Sequence, residues 1–168
     1  MRIARLCELA GWSESAFATS NNRDLLPFPP VPGDGYNLHH AFCLRLMDGV
    51  RKVTSDKAAA AALARDIADA NPYPLTTLAA VEIVGARVRL TVEGPSPVGF
   101  DRVFVGRLDR LHDWLERERR FIARGAEPHR EIVGRAAFSI LTLIELGAHA
   151  RAVIELATPE EVAEVSPA

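Results

Sequence analysis

Ile3-Ala4-Arg5-Leu6-Cys7-Glu8-Leu9-Ala10-Gly11-Trp12-Ser13 decides how the first part of the chain is read. Ile3, Leu6, Cys7 and Ala10 recur at helical spacing, which predicts a short amphipathic helix. Gly11 is a natural stop for it, because glycine enters the left-handed conformation without strain. Ser13 is placed to cap a second short helix that carries Ala16 and Phe17. Two short helices joined by a tight turn are therefore expected at the start of the chain.

Working outward, Pro27-Phe28-Pro29-Pro30-Val31-Pro32-Gly33-Asp34-Gly35 excludes helix, since its four prolines remove donors and fix φ. Asp34-Gly35 is a hairpin-turn signal. Leu38, Phe42, Leu46 and Val50 then repeat every four residues, with Ala41 and Met47 beside them, and predict a third, amphipathic helix. Thr54 or Ser55 is expected to cap a fourth, alanine-rich helix over 56–70, which leans on its neighbours through Leu63 and Ile67. Asn71-Pro72-Tyr73-Pro74 ends it, and a domain boundary is placed there.

Beyond that point the period changes. Val81, Ile83, Val88, Leu90 and Val92 alternate with polar residues, and the phase slips across Gly85, which predicts a bulge or tight turn at that glycine. Gly94-Pro95-Ser96-Pro97 reads as a turn and Val103-Phe104-Val105 as a short strand. Leu108, Leu111, Leu115 and Ile122, with Trp114 and Phe121, predict a long amphipathic helix ending at Gly125. The apolar run 136–146 fits either a buried strand or a buried helix. Residues 148–157 read as helix and 158–168 as a flexible acidic tail.

Composition bounds the function. The 168 residues are 48% hydrophobic and 25% charged, with a net charge of −2. That is enough apolar material for a core, and it excludes a strongly basic nucleic-acid coat protein. Residues 1–57 hold seven Lys/Arg against six Asp/Glu, and residues 101–135 hold nine against seven, so neither is a dense basic block. Apolar runs are too short to span a bilayer, and the N-terminus carries no secretory pattern. Cys7 and Cys43 have no CxxC partner, so a disulfide scaffold is not expected and a cytoplasmic setting is.

Two short helices, a proline-rich turn ending in Gly35-Tyr36, and a longer helix follow the order of a winged helix-turn-helix. The opening resembles that of the MerR-type DNA-binding domain, which begins Ile-Gly-x-Leu-Ala, reaches a Gly at the turn, then a hydrophobe and a Ser. Leu25-Leu26-Pro27 is similar to the Leu-Leu-Pro that closes the family's second helix, and Gly35-Tyr36 to the Gly-Tyr of its wing. The marks run without a gap from Ile3 to Tyr36, and the resemblance covers residues 1–70. Three departures stand beside it. The family's Arg-Tyr-Tyr is replaced by Ala18, Thr19 and Ser20. Asn37 stands where an arginine is usual. No coiled-coil helix and no metal-sensing cysteine set follow, which suits an accessory or phage-type member.

An α+β chain is expected: the resemblance implies a winged helix-turn-helix over residues 1–71, and the changed period beyond it predicts a small α/β domain over 78–157 for dimerisation or for partner or ligand binding. The resemblance implies a nucleoid-associated transcriptional regulator acting as a homodimer on double-stranded DNA, with the transcription machinery as a protein partner; the cysteine usage and short apolar runs add a cytoplasmic setting and no membrane association to the expectation. The second helix would enter the major groove and the wing around Gly33–Asn37 would follow the backbone or minor groove. The candidate DNA-binding residues are Arg2, Ser13, Glu14, Ser15, Thr19, Arg23, Tyr36, Asn37 and His39. Two missing arginines weaken the expected phosphate grip of each protomer. They also leave a second reading open, a protein–protein adaptor built on the same winged helix.

Other chemistry is not expected. His39 and His40 are adjacent and diverge by about 100° on a helix, so they make no two-ligand face, and His112, His129 and His149 are scattered. The chain has no GxSxG, P-loop, GxGxxG or HExxH pattern. Asp109 and Asp113, among arginines, read as an ion-paired face. No enzyme activity, metal or cofactor is therefore expected.

Overall fold

A computed structural model describes residues 1–33, 35–92, 98–125 and 137–165. The chain is α+β. Among the described residues the α-helices are α1 (Ile3–Ala10), α2 (Glu14–Asn21), α3 (Leu38–Arg51), α4 (Lys57–Ala70), α5 (Leu75–Ala80), α6 (Leu111–Gly125), α7 (Leu146–Ile154) and α8 (Pro159–Glu164). Strands β1 (Val84–Val92), β2 (Val98–Gly106) and β3 (Ala137–Glu145) form one antiparallel sheet in the order β2-β1-β3.

Local signals fix the first helices. Gly11, at φ 73°, turns the chain out of α1, and the Trp12 N–H donates back to the Cys7 carbonyl at 2.8 Å. Ser13 caps α2, its Oγ accepting from the Ala16 N–H at 3.2 Å. Asn37 caps α3 by accepting from the N–H groups of His39 and His40, and the His40 side chain accepts from the Asn37 N–H in return. The cap of α4 is Asp56, two residues past Thr54 and one past Ser55, the expected caps: its carboxylate accepts from the Ala58 and Ala59 N–H groups.

Helix α3 is the axis of the helical layer. Leu38, Ala41, Phe42, Leu44, Leu46, Met47 and Val50 are all buried, against α1 on one side and α4 and α7 on others. The alanines of α4 allow close packing there, with Leu63 and Ile67 supplying the bulk. The turn at Asn71, whose side chain brackets Tyr73 through both its oxygen and its amide, leads into α5. Helices α5 and α7 pack on each other, so one apolar cluster runs from Leu6 to Val153.

The sheet departs from the alternation read in the sequence at one point. Gly85 pairs regularly with Val105 and Ile144, and the irregularity lies between Arg87 and Val88 on the β3 side. Glycine at 85 serves a close approach: a Cβ there would stand 2.7 Å from Ile67 Cγ2 of α4. The apolar run expected to be a buried strand or buried helix is strand β3, at the edge of the sheet, with Ile140, Leu141 and Leu143 about half exposed. On the inner face Ala86, Val88 and Phe104 pack against Leu111 of α6, with Trp114 and Leu115 beside them.

The stretch 158–165 forms helix α8 rather than a flexible tail. Thr158 and Glu161 make a reciprocal capping box around Pro159. Arg5 of α1 clamps it with a fork on Glu161 at 2.9 and 3.0 Å and donates to the Leu156 carbonyl. Asp34 of the expected hairpin turn, the turn 94–97 and residues 166–168 lie outside the described residues. Those described between α2 and α3 include no strand.

Candidate nucleic-acid interface

The candidate interface is built on α2. Eight residues make barely two turns, so its placement depends on what it buries. Phe17 and Ser20 are its buried residues, and Asn21 is half-buried with its Oδ1 inward. Phe17 meets the Tyr36 ring edge-on at 5.8 Å. Ser20 Oγ donates to the Ala16 carbonyl and accepts from Lys57 Nζ at 2.9 Å. Ser13, Glu14, Ser15, Ala16, Ala18 and Thr19 remain exposed.

Five of the nine sequence candidates share this neighbourhood: Ser13, Glu14, Ser15 and Thr19 on α2, and Arg23 in the turn that leaves it. The hydroxyls are partly occupied. Thr19 donates to the Ser15 carbonyl at 2.8 Å, and Ser13 and Ser15 face each other at 3.1 Å. Arg23 is exposed and carries no side-chain hydrogen bond or ion pair among the described residues. Asp24 follows it at φ 53°, a left-handed position that Asp tolerates better than most residues.

The other four sit differently. Arg2 is exposed at the N-cap of α1. Tyr36 is 5% exposed, its ring enclosed edge-on by Phe17, Phe28 and His40. It ties the proline-rich loop to α2 and α3. The Asn37 side chain is taken up by the α3 cap. His39 lies half-buried beside Phe42, and burial holds its imidazole below the ordinary value, hence neutral near pH 7.

Most cations of the helical layer are engaged in the fold. Arg5 holds Glu8 and Glu161, Arg45 donates to the Leu9 carbonyl at 2.7 Å, and Arg65 to the Leu26 carbonyl at 3.0 Å. Lys57 bonds Ser20 and lies over the Trp12 ring. Both cysteines are buried, and burial pushes the Cys43 thiol up to about 12, so it is protonated at neutral pH. Among the described residues no group of three His, Cys, Asp or Glu side chains converges on a metal position.

A second feature was hidden in the sequence. Between β2 and α6 lies an open groove of about 820 Å³. Tyr73, Phe104 and Trp114 form part of its wall, and Arg110, Arg117 and Arg120 stand along it. The usable signal was the arginine spacing of seven and three residues, with Trp114 between the first two and Phe121 after the last.

The class these features define is an α+β chain with a capped, outward-facing second helix and an arginine-lined groove. No protein-family model, curated protein or solved structure matches it. Among the described residues no helix is long and apolar enough to cross a membrane.

Proposed function

We propose that the chain is a sequence-specific, MerR-like DNA-binding transcriptional regulator whose helix α2 enters the major groove, with the segment around Gly33–Asn37 along the backbone or the adjacent groove. The observation that carries this reading is the division of α2. Phe17 and Ser20 are its buried residues, and an outward face of mostly small side chains is left over: Ser15, Ala16, Ala18 and Thr19, with Ser13 at the cap and Glu14 beside it. Small hydroxyl side chains permit the close approach that base-edge contact requires. Arg23, unpaired at the end of the helix, is the phosphate contact. Homodimerisation belongs to the same proposal, because such helices usually read paired half-sites. The exposed edge strand β3 favours it. A cytoplasmic setting and contact with the transcription machinery complete the reading.

The engaged arginines favour a second reading, an adaptor that docks a protein on the same face. Duplex binding separates the two. With about four phosphate contacts per protomer, log affinity falls against log salt with a slope of roughly −4. Arg23→Ala weakens binding to all sequences alike, and Ser15→Ala reorders sequence preference. Absence of duplex binding at about 50 mM salt, with protein in the micromolar range, removes the regulator and leaves the adaptor.

A further inference from the structure

Helix α6 presents a face that the fold does not use. Each acid of 108–122 has a cation partner: Asp109 with Arg107, Asp113 with Arg110, Glu116 with Arg119 and Glu118 with Arg102. Arg119 lies over the Phe138 ring, on the sheet side. Arg117 and Arg120 are left exposed, with no hydrogen bond or ion pair among the described residues. The local excess is therefore two unpaired guanidinium groups.

Beside them stands Phe121, 69% exposed, one turn from Arg117. Two turns back is Trp114, half-buried against Phe104 at 5.4 Å between ring centres. Trp114, Arg117 and Arg120 line two adjoining grooves, the one of about 820 Å³ and another of about 490 Å³ that reaches Phe121. Two cations thus lie between two aromatics along about 10 Å of helix.

We propose that this face of α6 binds single-stranded nucleic acid, with Arg117 and Arg120 on successive phosphates and Phe121 and Trp114 against the bases. The argument rests on what each occupant would satisfy. An apolar partner covers Phe121 but buries two guanidinium groups without partners, which is costly. An acidic peptide answers the arginines but offers nothing planar to an exposed phenyl ring. A duplex offers phosphates while its base faces are stacked away. A single strand supplies both phosphates for the planar forks and free base faces for the rings. The site is independent of the reading of α2.

Fluorescence anisotropy of a labelled oligothymidylate against the full chain tests it. Binding is expected at low salt. Phe121→Ala weakens it about fivefold or more. Arg117→Gln with Arg120→Gln weakens it further and lowers the salt slope by about 1.4. Arg23→Ala leaves it unchanged, which separates this site from α2. All of these side chains are exposed, so the unfolding midpoint should stay at the wild-type value. The proposal is overturned by no binding at about 50 mM salt, by a Phe121→Ala protein that binds as well as wild type, or by equal competition from polyglutamate or a duplex. Equal competition from free nucleoside triphosphate would mean a nucleotide pocket instead of a strand site. Self-association that Phe121→Ala abolishes would mean a second copy covers the face. Either result also overturns it.

Discussion

The helical layer and the sheet with α6 are held together differently. In the helical layer one apolar cluster takes side chains from α1, α2, α3, α4, α5 and α7, and Phe42, Leu44, Leu46 and Met47 at its centre are fully buried. Among the described residues, the sheet and α6 share a smaller cluster of buried side chains, Ala86, Val88, Phe104 and Leu111. The sheet's cohesion comes from the antiparallel ladder and from partly exposed ion pairs: Asp101 with Arg87 and Arg89, and Arg102 with Glu118. Exposed pairs of that kind contribute little each. A single chain thus combines a layer defined by packing with a layer defined by backbone pairing, and the second leaves Leu108, Phe121, Ile140, Leu141 and Leu143 facing water.

The contrast breaks most visibly in the core. Phe42→Ala should cost about 3–5 kcal/mol, while Leu111→Ala, at the rim of the small cluster, should fall near the low end of the 2–5 kcal/mol range for such truncations. Urea unfolding of both variants measures the difference. Equal losses would show that the two layers are packed alike.

Acid should separate the layers more gently. His39, His40 and His149 lie in the helical layer, and for each the first cause is burial, which lowers the pKa from 6.5. The unfolded chain therefore binds protons that the folded one refuses, so stability falls as pH drops below 6.5 toward the lowered values. In the sheet, the hydrogen bonds from Arg89 and then Arg87 hold Asp101 at about 2 against an ordinary 3.8. Its contribution is complete above 3.8 and is lost as pH falls through about 2. Thermal midpoints from pH 8 downward should show the histidine loss first. A flat midpoint between pH 7 and 5 would refute the histidine part. The smallest effect is expected for Asp101→Asn at neutral pH, about 1 kcal/mol or less in urea unfolding, because its partners are half exposed.

What was legible in the sequence were the features decided within one turn of chain. The Gly11 turn, the Ser13 cap and the α3 stripe depend on neighbours three or four residues away. Helix α5 was missed because Leu75–Ala80 is too short to show a period. The capping box of α8 was present as Thr158-Pro159-Glu160-Glu161, but its acidic composition masked it. Strand β3 could not be assigned from apolarity alone, since its exposure follows from its place at the edge of the sheet. At the candidate site, Ser13, Glu14, Ser15 and Thr19 were named from the resemblance and are exposed, while the enclosure of Tyr36 needed Phe28 and His40 from elsewhere in the chain. The free arginines of α6 were illegible for the same reason. Which cation stays unpaired is decided in space, as when Glu118 turns to Arg102 on β2.

Helix α7 closes the helical layer from across the sheet, and Arg5 finds Glu161 across 156 positions of sequence. During synthesis, α1 to α5 exist before the residues that complete their core. Leu146, Ala150 and Val153 arrive only after the three strands and α6 have been made. The nascent helices must therefore wait with part of their apolar surface uncovered, and the last loop closure is a long one. The order of emergence sets the moment at which the helix carrying the candidate interface acquires its final support.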